Sequence, residues 1–269
     1  MIANSSFKPS REMRMRHLAL FLMLAVGSFN AFAQERIADA ETRPARGDSM
    51  ALGMGFTYKN ALYRGDDSSV LPVPLIMLEK GQFFIKGRVA GYRLYQDERF
   101  AFDVIGQWRF DGYDADDSDY LEGMDDRKMT LDGGAAVTLF DGWGQTTVSY
   151  VGDLLGRHSG QELSVTYSKP FRFEKWSLTP SAGIRFYSSS LGDYYYGVQP
   201  DEAVAGRAAY DAGDSLNPFA GLSVTYSFNE KWSALTTVRY TWLDSEITDS
   251  PIIEDHHDLL LMTGLLYTF

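Results

Sequence analysis

Four histidines, a dense run of acids and no cysteine are what this 269-residue chain offers for chemistry. His17 lies in a basic N-terminal segment, His158 stands alone between two strand-like stretches, and His256 adjoins His257. Adjacent histidines do not give the i, i+4 spacing that puts two imidazoles of a zinc protease on one helix face, so each reads as a surface-loop residue. Serines are plentiful, but no Gly-x-Ser-x-Gly elbow occurs and no general base is placed beside a nucleophile. The lack of cysteine removes disulfides, thiolate nucleophiles and Cys-ligated metal. These residues argue against an enzyme, a cofactor and a bound metal.

The densest acidic run is Asp111, Asp114, Asp116, Asp117, Asp119, Glu122, Asp125 and Asp126, with no base before Arg127. Asp114, Asp116 and Ser118 mimic the start of a calcium loop, but the glycine required at its sixth position is Asp119 or Tyr120. The run therefore reads as a hydrated external loop, bridged by the divalent ions of a lipopolysaccharide layer. A second long loop, 188 to 216, carries Tyr194, Tyr195 and Tyr196, then Pro200, Asp201 and Glu202. Proline followed by acids predicts a helix opening at Pro200. The tyrosines, with Asp201 and Glu202, either anchor a partner or pack the cap onto what lies beneath.

The elements that position these loops alternate with a period of two. In 231 to 243, Trp232, Ala234, Thr236, Val238, Tyr240 and Trp242 share one face, and Ser233, Thr237, Arg239 and Thr241 the other. The same split recurs in 259 to 269, 218 to 228, 176 to 187, 161 to 169, 145 to 151, 128 to 139 and 99 to 110. Trp232 and Trp242 are ten residues apart, roughly 33 Å of strand, or roughly 25 Å of height at a tilt of about 40°. That height matches an apolar membrane band with an aromatic girdle at each rim. Soluble strands average only about 5 to 6 residues. The pattern thus predicts an all-β fold, a transmembrane antiparallel up-and-down β-barrel, with Asp103, Arg109, Asp132, Arg185 and Arg239 pointing into a polar lumen.

Upstream of residue 99 the strand count is less regular. A strand near 49 to 58, a Pro-interrupted segment 70 to 78 and a stretch 82 to 95 give eleven in all, whereas bacterial single-chain barrels have even numbers. Twelve is expected, with 82 to 95 as two short strands, and ten is the fallback if the prolines break 70 to 78. Short links at 97 to 98, 141 to 142, 173 to 175 and 229 to 231 alternate with long polar ones, so the long loops should face outwards and the C-terminus the periplasm.

The ends complete this reading. Lys8, Arg11, Arg14 and Arg16 precede an apolar run, Leu18 to Val26, that closes at Ala31-Phe32-Ala33, the layout of a cleaved secretory signal over 1 to 33. Residues 34 to 48 read as a flexible periplasmic lead-in, and 49 to 269 as the barrel. Cleavage removes four of 25 Lys+Arg and one of 36 Asp+Glu, leaving 21 against 35, net −14. So acidic a chain excludes nucleic acid, whose binders need basic patches. Gly264, Tyr267 and the terminal Phe269 fit a barrel-assembly signal read by the assembly machinery through strand addition, although Met262 occupies its usually polar first position.

Several motifs in order carry a resemblance: Val70-Leu71-Pro72-Val73-Pro74-Leu75, Tyr120-Leu121-Glu122-Gly123-Met124, Tyr195-Tyr196-Gly197-Val198-Gln199-Pro200, Tyr210-Asp211-Ala212-Gly213 and Asp249-Ser250-Pro251-Ile252. Over about residues 50 to 269 the chain resembles the MipA/OmpV family of outer-membrane MltA-interacting proteins. Tyr196 and Gln199 depart mildly from the family, which more often has Phe and Ser or Thr there. The resemblance implies a non-catalytic outer-membrane barrel that links a lytic transglycosylase to a penicillin-binding peptidoglycan synthase. A scaffold of this kind must be touched from the periplasm, through 34 to 48 and the short turns. The residues themselves leave two alternatives open: a narrow pore for small solutes lined by the inward charges, and an adhesin or antigen acting through the external loops.

Overall fold

A computed structural model describes residues 48–269. The expected signal and most of the lead-in lie outside the described residues. The regular structure is mainly strand: β1 (Ser49–Lys59), β2 (Ser69–Lys80), β3 (Phe83–Lys86), β4 (Val89–Gln96), β5 (Phe100–Arg109), β6 (Thr130–Phe140), β7 (Gln145–Asp153), β8 (Gln161–Ser168), β9 (Phe171–Phe173), β10 (Trp176–Tyr187), β11 (Ser215–Ser227), β12 (Trp232–Trp242) and β13 (His257–Thr268). Each neighbour pair is antiparallel, and β1 pairs with β13 to close the sheet. β8 and β9 both pair with β10 on either side of Lys169-Pro170 and form one interrupted wall strand, so the barrel has twelve. The stretch 82 to 95 is indeed two strands, turned at Gly87 and Arg88.

Period-two patterning becomes two surfaces. In β12, Ser233, Leu235, Thr237, Arg239 and Thr241 are buried in the lumen, while Trp232 and Trp242 stand half-exposed on the outside. Trp232 packs edge-on against Tyr267 of β13, and Trp242 against Tyr240. Trp176 of β10 meets Tyr226 of β11. These aromatics ring the two ends of the lipid-facing wall, where an apolar ring with a polar edge suits the membrane interface.

The closing seam depends on small residues. Gly55 of β1 lies opposite Gly264 of β13. A Cβ on Gly264 would come within 2.6 Å of the Met54 carbonyl oxygen and 2.7 Å of Gly55 Cα. Only glycine allows that approach.

Both prolines sit inside β2, which they do not break. Pairing with β3 ends at Met77 opposite Lys86, with the Gly87 N–H donating to the Ile76 carbonyl. Beyond that point, Ser69 to Leu75 pair only with β1. Ile76 turns its backbone groups toward β3, and Pro72 and Pro74 share its parity. Their missing N–H groups therefore face the unpaired side, the place where a sheet tolerates proline.

The lumen is filled in layers. Toward the short-turn end, Ala51, Val73, Leu75, Met77, Leu235, Met262 and Leu266 form an apolar plug. At the long-loop end, the loops between β1 and β2, β5 and β6, β10 and β11, and β12 and β13 fold together over the mouth. They enclose a second apolar core that includes Tyr63, Leu121, Leu191, Tyr195, Ile247 and Ile252. Charged side chains occupy the space between.

Candidate functional site

Arg109, the last residue of β5, is the hub of the charged layer. Its Nε donates to Asp132 Oδ2 at 2.8 Å, its Nη2 lies 2.7 Å from the same oxygen and 2.6 Å from Glu162 Oε2, and its Nη1 donates to Asp111 Oδ2 at 3.2 Å. Three walls meet there, because Asp132 belongs to β6 and Glu162 to β8. Arg109 is 1% exposed and Asp132 0%, so this is a buried network in which every acid has a cationic partner. The guanidinium also lies over the Tyr187 ring at 5.8 Å.

His158 joins the network, which corrects the reading of it as a surface-loop residue. It is buried, with Nε2 3.0 Å from Asp132 Oδ1, and its Nδ1 accepts the Gly160 N–H at 3.0 Å. Because Nδ1 accepts, the ring proton sits on Nε2 and is donated to Asp132, the tautomer logic of an oriented imidazole. The loop 154 to 160 turns back into the barrel because Asp153 accepts the N–H groups of Leu155, His158 and Ser159. Sequence spacing carries no signal for that fold-back.

Asp132, Asp153 and His158 bring three ligand-type atoms within 4.8 Å of one another. The donor set does not fit a metal well. Asp132 is held by Arg109 and His158, and Asp153 by three backbone N–H groups and the Thr130 hydroxyl. A cation there would have to displace both Arg109 and the imidazole proton.

All five lumen charges read from the sequence face inward, but they do not form one set. Asp103 is paired with Arg93 of β4, whose Nε donates at 3.0 Å. Arg185 reaches Glu162 only at 4.0 Å and lies 5.0 Å over the Phe219 ring. Arg239 is 7% exposed, and its Nε and Nη1 are buried without a hydrogen-bond partner. Sequence reading missed Arg88 and Glu162 and expected Asp111 and His158 in external loops, whereas both join the Arg109 network. Glu162 was recoverable, since it precedes Leu163 on the inward parity of 161 to 169. Arg88 was not, because it sits in a turn where alternation fails.

The lid has its own ionic clamp. Arg127 Nη2 donates to both carboxylate oxygens of Glu202, at 2.8 and 2.6 Å, and the same carboxylate accepts the N–H groups of Asp125 and Gln199 at 2.9 Å each. Burial pushes the Glu202 carboxyl up, but Arg127 and those two N–H groups outweigh it and hold the pKa below the ordinary value. Burial likewise raises Asp111, while Lys59 and Arg109 bring it down to about 2.

The helix expected at Pro200 lies one segment earlier, as α1 (Ser189–Tyr196), and 200 to 202 is a turn. The acids after Pro200 serve other ends: Glu202 takes the clamp, and Asp201 is exposed. Tyr195 and Tyr196 are buried in the lid core, and Tyr194 uses its hydroxyl to accept the Lys128 N–H at 3.0 Å. The acidic loop is folded too. Tyr113, Ala115, Leu121 and Met124 are buried under the lid, and Asp126 accepts the Ala115 N–H. At the opposite end Phe269 is 71% exposed, and Tyr267 lies beside it with ring centroids 5.0 Å apart.

The model of the family described as MltA-interacting protein MipA matches residues 52–269. The chain is similar to the MltA-interacting protein of Escherichia coli K12, with 29% identity over 95% of this chain and 99% of that one. It is also similar to the putative outer membrane protein YiaT of the same strain, with 30% identity over 84% and 93%. Outer membrane protein Omp26La of Vibrio anguillarum shares 34% identity over 58% and 61%. Among solved structures, the translocator domain of the autotransporter NalP from Neisseria meningitidis aligns with 95% of this chain and 97% of its own at a TM-score of 0.41 and 11% identity. A closed barrel with a lipid-facing apolar wall and relatives named as outer membrane proteins place this protein in the outer membrane, and the chain belongs to the MipA family of MltA-interacting proteins.

Proposed function

We propose that this protein is a closed, non-catalytic platform that holds peptidoglycan-remodelling enzymes at the inner face of the outer membrane. The observation that carries the reading is the Arg109 network under its lid. One guanidinium gathers Asp111, Asp132 and Glu162 across the lumen, and the apolar lid core seals the mouth above it. A lumen occupied in this way favours a plug over a solute path, and buried, mutually satisfied acids leave no poised general base. With the long loops outward, the periplasmic surface consists of the short turns and the lead-in, and a murein hydrolase such as a lytic transglycosylase, together with a penicillin-binding synthase, docks there. The name MltA-interacting protein, borne by relatives and by the family, supports the hydrolase as the partner.

Two measurements test it. Mature protein immobilised in detergent is expected to retain a lytic transglycosylase from a periplasmic extract, and planar-bilayer recording is expected to show no discrete conductance. Retention of neither hydrolase nor synthase removes the platform reading, and a stable unitary conductance revives the pore.

A further inference from the structure

The wall strand made of β8 and β9 is broken at Lys169-Pro170, and the break leaves a notch in the short-turn rim. The Lys169 N–H donates to the Pro180 carbonyl of β10, so the next nitrogen, that of Pro170, faces the β7 side and has no proton to give it. Pairing with β7 accordingly ends at Gln145 opposite Ser168, while β9 runs on with β10 as its one strand partner. Exposed aromatics border the notch. Trp143, in the turn that joins β6 to β7, is 75% exposed, and Phe171 and Phe173 of β9 are 40% and 56% exposed. The two phenylalanines stand on the lipid side of the rim, since Phe173 lies opposite Trp176 of the outer girdle and Phe171 opposite Leu178 on the same face.

Lys169 occupies the corner between these rings. Its ammonium lies 5.2 Å from the centre of the Trp143 ring and 5.4 Å from that of Phe171. Lys59, Lys86 and Lys128 each reach a carboxylate within 4.0 Å, whereas Lys169 has no such partner among the described residues. The acid of the neighbouring turn, Asp141, is occupied by the Trp143 and Gly144 N–H groups at 2.6 and 2.7 Å. An ammonium bracketed by two aromatic rings at a membrane edge, without an acid of its own, complements a lipid phosphate. We propose that this notch holds the headgroup of an anionic phospholipid in the leaflet at the short-turn end. Lys169 meets the phosphate, and Trp143 and Phe171 cover the glycerol and the first acyl carbons. A protein strand is the poorer occupant, because β9 has 3 residues and Pro170 removes a donor from its open edge. The site lies on the lipid-facing wall and does not depend on the docking of murein enzymes proposed above.

The test is native mass spectrometry of the folded mature barrel, titrated in detergent with phosphatidylglycerol or with phosphatidylcholine of the same acyl chains. A single-lipid adduct that favours phosphatidylglycerol is expected, weakened about fivefold in Lys169→Gln, the worth of one basic residue at an anionic surface. Trp143→Ala is expected to weaken it too. Lys80→Gln, which removes an exposed lysine from the same rim on β2, away from the notch, should leave it unchanged. A heat-modifiable folded band on electrophoresis is required of each variant, so that lost folding is not read as lost binding, and either notch variant decides if the other does not fold. The site is overturned if the folded parent takes both lipids equally, if folded Lys169→Gln or Trp143→Ala binds as the parent does, or if Lys80→Gln lowers the preference as much.

Discussion

Arg109 and Glu162 lie 53 residues apart in sequence and meet across the lumen, Nη2 donating to Oε2 at 2.6 Å. The contact ties β5 to β8 through space that no sheet hydrogen bond crosses. Replacing Arg109 by alanine would leave buried Asp132 to the His158 N–H and buried Glu162 to Arg185 at 4.0 Å. Breaking such a pair from one side costs about 3–5 kcal/mol. Urea unfolding of the barrel in detergent micelles should show a loss of that size for Arg109→Ala. Equal stability of Arg109→Ala and parent would mean that the network is not holding the walls together.

The prolines of β2 lead to an expectation opposite to the usual rule. Proline ordinarily weakens a strand by removing a ladder donor. Pro74 faces the side of β2 that has no strand partner, so Pro74→Val adds an N–H with nothing to bond to at membrane depth. An unsatisfied buried donor costs about 1–3 kcal/mol, and lipid offers no water to relieve it. Pro74→Val is expected to lower the unfolding midpoint, and a raised midpoint would show that this edge finds a partner.

At the closing seam, Gly264→Val should prevent β1 from approaching β13, since even a Cβ meets Gly55 Cα at 2.7 Å. The expected readout is loss of the heat-modifiable folded band on electrophoresis after refolding. Normal folding of this variant would require the seam to open to a wider register.

The lid clamp predicts an acid response. The folded Glu202 carboxyl titrates below its unfolded value of about 4.3, so the clamp's stabilisation is complete above that value and is lost as pH falls through the folded one. Asp111, lowered to about 2, keeps its charge further into acid. Hydrogen-exchange protection factors for 188 to 214 should therefore fall below about pH 4 while those of the barrel strands persist. Glu202→Gln should lower lid protection at pH 7 and flatten its pH dependence. A lid equally protected in both proteins at pH 7 would show that the Arg127 pair contributes nothing.

The wall of this protein was legible because lipid on one side and a filled lumen on the other impose a two-residue period, which β12 displays residue by residue from Trp232 to Trp242. Even parity left twelve with ten as the fallback, and the turn at Gly87 that divides 82 to 95 makes it twelve. Arg109, Arg185 and Arg239 were placed inward by the same alternation. Which acid meets which base was not legible. Asp103 and Arg109 share a strand face, yet Asp103 pairs with Arg93 and Arg109 with Glu162. Alternation assigns a side of the sheet, not a height or an angle around the barrel.

Sequence by itself determined the membrane-spanning architecture, the two faces of the regular strands and the family, since each depends on local order along the chain. Tertiary structure alone decided that the loops fold into a lid, that His158 is drawn into the lumen to donate to Asp132, and that Arg127 of one loop clamps Glu202 of another. The reason is physical: closing the sheet sets side chains from distant strands against one another across the interior, and the registers of twelve strands together fix those meetings.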